Sequence, residues 1–371
     1  MIPQNDFKRQ WQCIEPAAIR AVQRVGESGW YILGEEVEAF EVALAALCGT
    51  AFAVGVGNGM DAIELGLRCL NVKPGDKVLT TPFSAFATTL AIIRVGAMPV
   101  FVDVDDRGGI DLEQCRRILE HERAIKFLVP VHLYGIPLDL SELARLQREF
   151  EVAVIEDCAQ AIQASSQGIG VGTIGQASAI SFYPTKNLGA LGDGGALLTN
   201  DGEVATKARA LRNYGQSSHN FHDDIGVNSR LDELHAAILR DALLPHVQDW
   251  TEARRKTAQR YFDGIRNPRL NLIHPDGEAD PVWHLFPILV GDGGRDRLRE
   301  QLRSADIITG VHYPEIIPQQ KALQKYGRYE VSGELSNARQ FANCELSLPI
   351  HPFLTTDEAT AVINACNEWD G

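Results

Sequence analysis

The chain has 371 residues, 45% of them hydrophobic and 23% charged. That is close to the average of globular proteins; it supplies a large core and excludes wholesale disorder. Against 35 basic residues stand 49 acidic ones, a net charge of −14 that repels nucleic acid and anionic lipid, and no basic patch interrupts it.

The amino terminus, MIPQNDFKRQWQ, lacks the apolar stretch a signal peptide needs, so a cytoplasmic location is expected. From about residue 50 the pattern alternates between two periods. AFAVGV (51–56) predicts a strand, and MDAIELGLRCL predicts a helix with Ile63, Leu67 and Leu70 on one face. KVLTT, MPVFVDV, KFLVPV and VAVIEDC predict further strands. SAFATTLAIIRVG, DLEQCRRILEH and DLSELARLQREF predict the helices between them. The apolar run from Ala85 to Val102 contains Arg94, Gly96 and Pro99, and reads as helix then strand, not as a membrane span. Repeated strand–helix units of this length demand an α/β fold, with a mostly parallel sheet covered by helices on both faces. Ligands bind such sheets beyond the carboxyl ends of the strands.

After Asp157 the pattern changes. A glycine-rich loop (168–175) precedes SAISFY and GGALLTN, which read as two adjacent strands. A helical stretch runs from Leu231 to about Ile265, and Pro245 should kink or break it. Beyond Pro268 come VWHLFPILV, a helix near Asp296–Ala305, a strand IITGV and a terminal helix from Thr355. Together they predict a smaller C-terminal α/β domain (241–371) after a large domain (1–240). The seven cysteines are scattered without a CxxC pair, which argues against a disulfide framework or a cysteine zinc site and for a reducing compartment. No metal site is expected.

Four segments fall where strands should end. GVGNGMDAI (55–63) is a glycine turn opening a helix, whose free N–H groups and dipole suit a phosphate. VIEDCAQA ends a buried strand on two carboxylates, Glu156 and Asp157, each of which needs a partner or a task. In SAISFYPTKNLGALGDGGALLTN, Lys186 lies in an apolar, glycine-rich turn, where a desolvated amine can serve as a nucleophile toward a carbonyl. In GVNSRLDELHAAIL, Asn228 and Arg230 precede an amphipathic helix that either could cap, or could face a ligand. A phosphate cradle, a strand-end carboxylate and a turn lysine are what pyridoxal 5'-phosphate requires: an anchor, a partner for the pyridine nitrogen, and an amine for the aldehyde. Phe86, in TPFSAFATT, stands where an aromatic could stack on the ring.

NGMDAIELGL, VPVHLYG, IEDCAQA, SFYPTKNLGALGDGGA and GVNSRLDELHAAIL resemble the nucleotide-sugar aminotransferases of the DegT/StrS type in order and spacing, across nearly the whole chain. The resemblance implies the fold type I architecture of pyridoxal-phosphate aminotransferases. It makes Lys186 the cofactor-bearing and proton-shuttling lysine, Asp157 the partner of the pyridinium nitrogen, and Gln160 the neighbour of the ring hydroxyl. Phe86 becomes the stacking ring, and Gly59, Met60 and Ser181 phosphate contacts. Asn228 becomes a phosphate contact reaching in from a neighbouring subunit, hence a homodimer with shared active sites. His312 and Tyr313 look like substrate-side residues, as does Tyr183. Where this chain has Met60 the family usually has threonine, so only a backbone N–H remains there for the phosphate.

The resemblance further implies glutamate as amino donor and a nucleotide sugar as acceptor. Tyr183 and Asp193 point to the branch acting at C3 of dTDP-linked 3-keto-6-deoxyhexoses, with C4 of a 4-keto sugar, or a non-catalytic sugar- or cofactor-binding member, as alternatives. Related dehydratases replace the lysine with histidine, and Lys186 counts against them. Gly170, Gly172 and Gly175 spell GxGxxG, but a strand follows where a dinucleotide site needs a helix. Arg212 and Arg230 are candidates for the pyrophosphate or for structural salt bridges.

Overall fold

The structure, a computed structural model, describes residues 1–371. Its centre is an eight-stranded sheet whose strands, named by first residue, lie in the order 52, 195, 177, 153, 127, 77, 98, 330. Only the strand Gly195–Thr199 runs antiparallel to its neighbours; every other adjacent pair is parallel. The carboxyl ends of the strands ending at Val56, Thr80, Val129, Asp157 and Ser181 therefore open on one edge.

Alternation along the strands decides how the sheet is covered. Val54, Val78, Ile155 and Leu197 pack on one face with Ile63, Leu67 and Ile92. Their chain neighbours Ala53, Leu79, Val154 and Leu198 pack on the other face with Phe40, Leu143 and Leu146. Both faces are buried, as a mostly parallel sheet requires, and each buried leucine or valine contributes about 1.5–3 kcal/mol. Short polar side chains start the covering helices. Asn58, Asp111 and Asp139 each accept the N–H three residues on.

The carboxyl-terminal residues build their own three-stranded antiparallel sheet from Leu270–Leu272, Phe286–Val290 and Glu345–Leu348. The strand Glu330–Ser332 instead extends the large sheet beside Met98–Val102. The expected kink or break near Pro245 is an irregular stretch: the helix Glu233–Ile238 passes through a π turn (Leu239–Leu243) and a 3-10 turn (Leu244–His246) before the helix Val247–Gly264.

Two expectations are corrected. IITGV forms no ladder strand; Ile307 pairs singly with Ile2 and Gly310 with Ser347, so the segment crosses between two partners instead of running along one. The helix after GVNSR is capped by Asp232, which accepts the His235 N–H, and by neither Asn228 nor Arg230. The helices Phe7–Ser28, Glu35–Cys48 and Gly202–Leu211 add to those read from the sequence. No helix is long and apolar enough to cross a membrane.

Candidate active site

At the edge where the strands end, the chain turns from Val56 through Gly57 and Asn58 into the helix Gly59–Cys69. Asn58 Oδ1 accepts the Asp61 N–H at 2.9 Å, which leaves the amides of Gly59 and Met60 without helical acceptors. Backbone approach here is close enough to exclude side chains. A Cβ on Gly59 would lie 2.9 Å from Ser181 Cβ, and one on Gly195 only 2.4 Å from the Asn58 carbonyl carbon. Ser181 thus stands against the first turn of the helix. The Met60 side chain packs into the apolar cluster around Val54 and Ile63, which leaves only its backbone N–H free at this turn. Ser229 donates to Asp61 Oδ2 at 2.6 Å and accepts the Gly57 N–H at 3.0 Å, tying the stretch that carries Asn228 to this turn.

The two carboxylates at the end of Ala153–Asp157 have opposite tasks. Glu156 is fully buried; it accepts the amides of Gly172, Ile174 and Gly175 at 3.0, 2.9 and 2.7 Å and pairs with His132 Nε2 at 3.0 Å. Burial pushes its carboxyl up, but His132 and the loop amides outweigh this and hold it below the ordinary range. His132 Nδ1 faces the Leu138 N–H at 3.2 Å and so accepts, which leaves Nε2–H to donate to Glu156. Two of the three glycines that spell GxGxxG, Gly172 and Gly175, belong to the amide cradle of this carboxylate. Cys158 lies beside the same pair, and with Glu156 so occupied the three form a satisfied cluster.

Asp157 turns the other way. Thr88 Oγ1 donates to its Oδ2 at 2.7 Å, and the Ala159 N–H to its Oδ1 at 3.1 Å. Thr88 sits in the first turn of the helix Phe86–Arg94, which places Phe86 two residues from the contact that fixes Asp157. Lys186 is half-buried in the turn after Ala177–Ser181, its N–H bonded to the Tyr183 carbonyl at 2.8 Å. Burial lowers its amine to about 8, while Asp157, close enough to be felt, pulls it back up. The amine and Asp157 therefore share one environment without an ion pair to quench the amine.

The remaining wall comes from the second half of the chain. His284 is buried, with Nδ1 3.2 Å from Asn187 Oδ1; Asn187 Nδ2 donates to the Val282 carbonyl at 3.0 Å. Burial, then the charges of Lys186 and Arg254 and the nearby His312, hold His284 neutral, far below the ordinary histidine value. His312 is pushed down to about 4 by burial and by Lys186. Tyr313 packs edge-on to Phe83, and its hydroxyl lies 3.4 Å from Gln160 Nε2, while Gln160 Oε1 accepts the Tyr134 N–H at 2.6 Å. Burial and the Asp157 charge raise the Tyr313 phenol.

Lys186, Asp157, Gln160, His312 and Tyr313 thus converge, with Gly59, Met60 and Ser181 at the glycine turn and Phe86 in the same helical turn as Thr88. Tyr183 and Asn228 are exposed at the rim. Arg230 donates to Asn213 Oδ1 at 2.9 Å and stacks on Tyr214. Arg212 is buried against Glu41 at 2.5 Å and the Gly55 carbonyl at 2.7 Å, a structural bridge behind the glycine turn. The reading of the sequence missed Thr88, Asn187 and His284. Asn187 adjoins the lysine, and His284 is the lone polar residue in VWHLFPILV, the one signal that marked it.

The DegT/DnrJ/EryC1/StrS aminotransferase family profile matches residues 12–367. A dTDP-3-amino-3,4,6-trideoxy-alpha-D-glucose transaminase of Streptomyces venezuelae is 40% identical over 99% of this chain and 96% of its own. A dTDP-3-amino-3,6-dideoxy-alpha-D-galactopyranose transaminase of Aneurinibacillus thermoaerophilus is 39% identical over 100% and 99%. The crystal structure of S. venezuelae DesV in complex with a ketimine intermediate superposes with a TM-score of 0.93 at 40% identity, covering 99% of this chain and 98% of that one.

Proposed function

Because the chain belongs to the DegT/DnrJ/EryC1/StrS aminotransferase family, we propose that it moves an amino group from glutamate to C3 of a dTDP-linked 3-keto-6-deoxyhexose, with pyridoxal 5'-phosphate held on Lys186. Two curated relatives that span the chain are transaminases named for dTDP-3-amino sugars, which supports both the nucleotide-sugar substrate and the C3 position. The single observation that carries the reading is the placement of Lys186, half-buried in the turn after Ala177–Ser181, within electrostatic reach of Asp157 and paired with no acid.

The residues present fit the cofactor. A glycine cradle that a Cβ would fill lies beside Ser181 and the open amides of Gly59 and Met60, as a phosphate requires. Asp157, steadied by Thr88 and the Ala159 amide, would face the pyridine nitrogen. Phe86 would cover the ring, and Gln160 would meet its hydroxyl. When bound, the cofactor supplies an electron sink that lets a C–H bond next to nitrogen ionise.

The chain's own groups do the rest. Lys186 would hold the cofactor aldehyde, be released when the amino donor takes its place there, and then, as a free amine, carry the proton off the substrate carbon and return it, as base and then acid. Its lowered affinity for protons leaves a useful neutral fraction near pH 7. Asp157 would hold the pyridine nitrogen protonated by its charge. His284 and His312 stay uncharged, so no fixed cation competes for Asp157. Tyr183, His312 and Tyr313 would meet the sugar, and Asn228 would reach the phosphate of a second subunit in a homodimer. We assign residues 1–240 to a large cofactor-binding domain and 241–371 to a smaller domain that closes the substrate side.

Purified protein with pyridoxal phosphate should be yellow, and borohydride should fix the chromophore onto Lys186. Glutamate should bleach the band, and dTDP-3-keto sugars should restore it faster than 4-keto sugars. A protein that takes up no cofactor, or a Lys186→Ala variant with near-normal turnover, would overturn the assignment. We expect that variant to lose about three to four orders of magnitude in turnover.

A further inference from the structure

Behind His312 lies a buried polar chain that the proposed chemistry leaves unused. Glu345, at the start of Glu345–Leu348, is 0% exposed and has no cation in direct contact. Its Oε2 accepts the His312 backbone N–H at 2.6 Å, and its Oε1 lies 2.5 Å from the Ser347 hydroxyl. Ser347 Oγ in turn lies 2.9 Å from His312 Nδ1. The His312 backbone is held at its other end too, because the Tyr134 hydroxyl donates to its carbonyl at 2.7 Å. Paired backbone bonds between Gly310 and Ser347 lay the whole segment against the strand. His312 Nε2 has no partner in the chain and is not sealed off from solvent, and the ring is close enough to Lys186 to feel its charge.

We propose that Glu345 and Ser347 are positioning residues that set the tautomer of His312, so that Nε2–H is presented to the ketone oxygen of the keto sugar. This rests on the sugar-aminotransferase reading and deepens it by naming the group that polarises the acceptor carbonyl. The logic is in the partners. Oε2 faces a backbone N–H, which can only donate, so a proton on Glu345 must sit on Oε1, toward a hydroxyl that can turn. With Glu345 protonated, Oε1–H donates to Ser347, Ser347 donates to His312 Nδ1, and the imidazole proton is on Nε2. With Glu345 ionised, both bonds reverse. Ser347 donates to the carboxylate, Nδ1–H donates to Ser347, and Nε2 is bare. The Nε2 proton is given to solvent and one is taken up at Nδ1, so the ring stays neutral in both states.

Burial pushes the Glu345 carboxyl up to about 8, against the pull of Ser347, the His312 N–H and Arg295. Near pH 7 the donor form of His312 prevails, and it gives way above pH 8. The other ionisable groups around the pair are Tyr134 and Tyr313, both raised by burial, and Lys186 and the neutral His284 on the His312 side. A hydrogen bond to a ketone oxygen placed in a partly desolvated site is worth most as charge builds there.

The test is histidine-selective 15N NMR of the enzyme loaded with pyridoxal phosphate, without sugar, the His312 signal being assigned by its loss in H312Q. The wild type should carry the proton on Nε2 at pH 7 and on Nδ1 at pH 9.5. E345Q, whose amide can only donate to Ser347, should keep it on Nε2 at both. S347A should abolish the switch, and it decides the matter should E345Q fold poorly. In single-turnover assays S347A should slow the keto-sugar half-reaction about tenfold and spare the glutamate half-reaction, while E345Q should flatten the fall of the sugar half-reaction above pH 8. The same tautomer in wild type and E345Q at pH 9.5, or equal loss in both half-reactions, would overturn the proposal. If no keto sugar is converted by the wild type, the aminotransferase reading fails on its own, and the tautomer data still judge the relay.

Discussion

Around the strand end that leads to Lys186 stand Gly59, Ser181 and Gly195, packed so tightly that no Cβ fits at either glycine. Within reach of the Lys186 charge stand His284 and His312, with Tyr313 next in the chain, side chains held by other side chains: Asn187, Ser347 and Gln160. The first wall needs little beyond the torsions of a few consecutive residues, and it presents amides whose direction cannot change. The second wall depends on partners far away in sequence, and its hydrogen-bonding atoms can change role. A phosphate of fixed charge suits the first kind of surface. A ketone whose oxygen gains charge during reaction suits the second.

The sharpest way to break this comparison is at the carboxylate pair, where one strand end serves both purposes. Asp157→Asn keeps the shape, its amide oxygen left to the Ala159 N–H and its Nδ2–H donating to the Thr88 hydroxyl, but removes the charge that would hold the pyridine nitrogen protonated. Turnover should fall about 10²–10³-fold, with thermal stability little changed. Glu156→Gln should do the reverse. Its amide would meet the N–H groups of Gly172, Ile174 or Gly175 with donors of its own, at a cost of about 3 kcal/mol in urea unfolding. Turnover per folded molecule should stay within about twofold. A large kinetic defect in Glu156→Gln would show that the two neighbours are not divided as described.

Next in size is Gly59→Ala. The added methyl would press on Ser181, whose Cα also lies only 3.3 Å from that position, so the strand end must give way and not just a flexible side chain. We expect about tenfold weaker cofactor binding by titration and an unchanged ratio of C3 to C4 activity. A shift in sugar preference from this substitution would mean that the two walls are mechanically coupled.

How much of this was legible in the sequence follows the same division. The mostly parallel sheet, Asp157, Lys186 and the Gly59 turn could be read because period, strand end and glycine placement are local. Thr88, His284 and the Glu345–Ser347 pair could not, because their meaning lies in contacts across the fold: Thr88 reaches Asp157, 69 positions away, and His284 reaches Asn187, 97 positions away. IITGV carries the composition of a strand, but pairing is a property of neighbours, and here the neighbours are Ile2 at one end and Ser347 at the other. The glycines 170–175 spelled a nucleotide loop, and instead the amides of Gly172, Ile174 and Gly175 grip Glu156, since free amides in a glycine turn serve any anion. Arg212 could have faced a pyrophosphate by its type; the buried Glu41 claims it.

The smallest expected effect probes what holds the second wall in place. The amino terminus is laced to the carboxyl-terminal half: Ile2 pairs with Ile307, and the Gln4 amide lies against Gly310 beside the His312 ring. Farther along, Arg9 grips Glu358 with bonds of 2.9 and 2.8 Å and donates to the Phe353 carbonyl at 2.8 Å. The Arg9 hydrogen bond lowers the Glu358 carboxyl from 4.5 to about 2, outweighing the opposing effect of burial; the Thr355 capping contacts add to the lowering. A carboxyl lowered on folding stabilises the native state fully above its unfolded value, and that contribution fades as pH falls from 4.5 through 2. Arg9 is 40% exposed, so solvent screens the pair and its worth is about 1 kcal/mol. Urea unfolding of Arg9→Ala should show that loss at pH 7 and little of it near pH 2, where the wild type has lost the same interaction. The variant should raise KM for the keto sugar and leave cofactor affinity alone, because the slackened segment leads to His312 and not to Gly59. Weakened cofactor binding in Arg9→Ala would place the strap on the wrong wall.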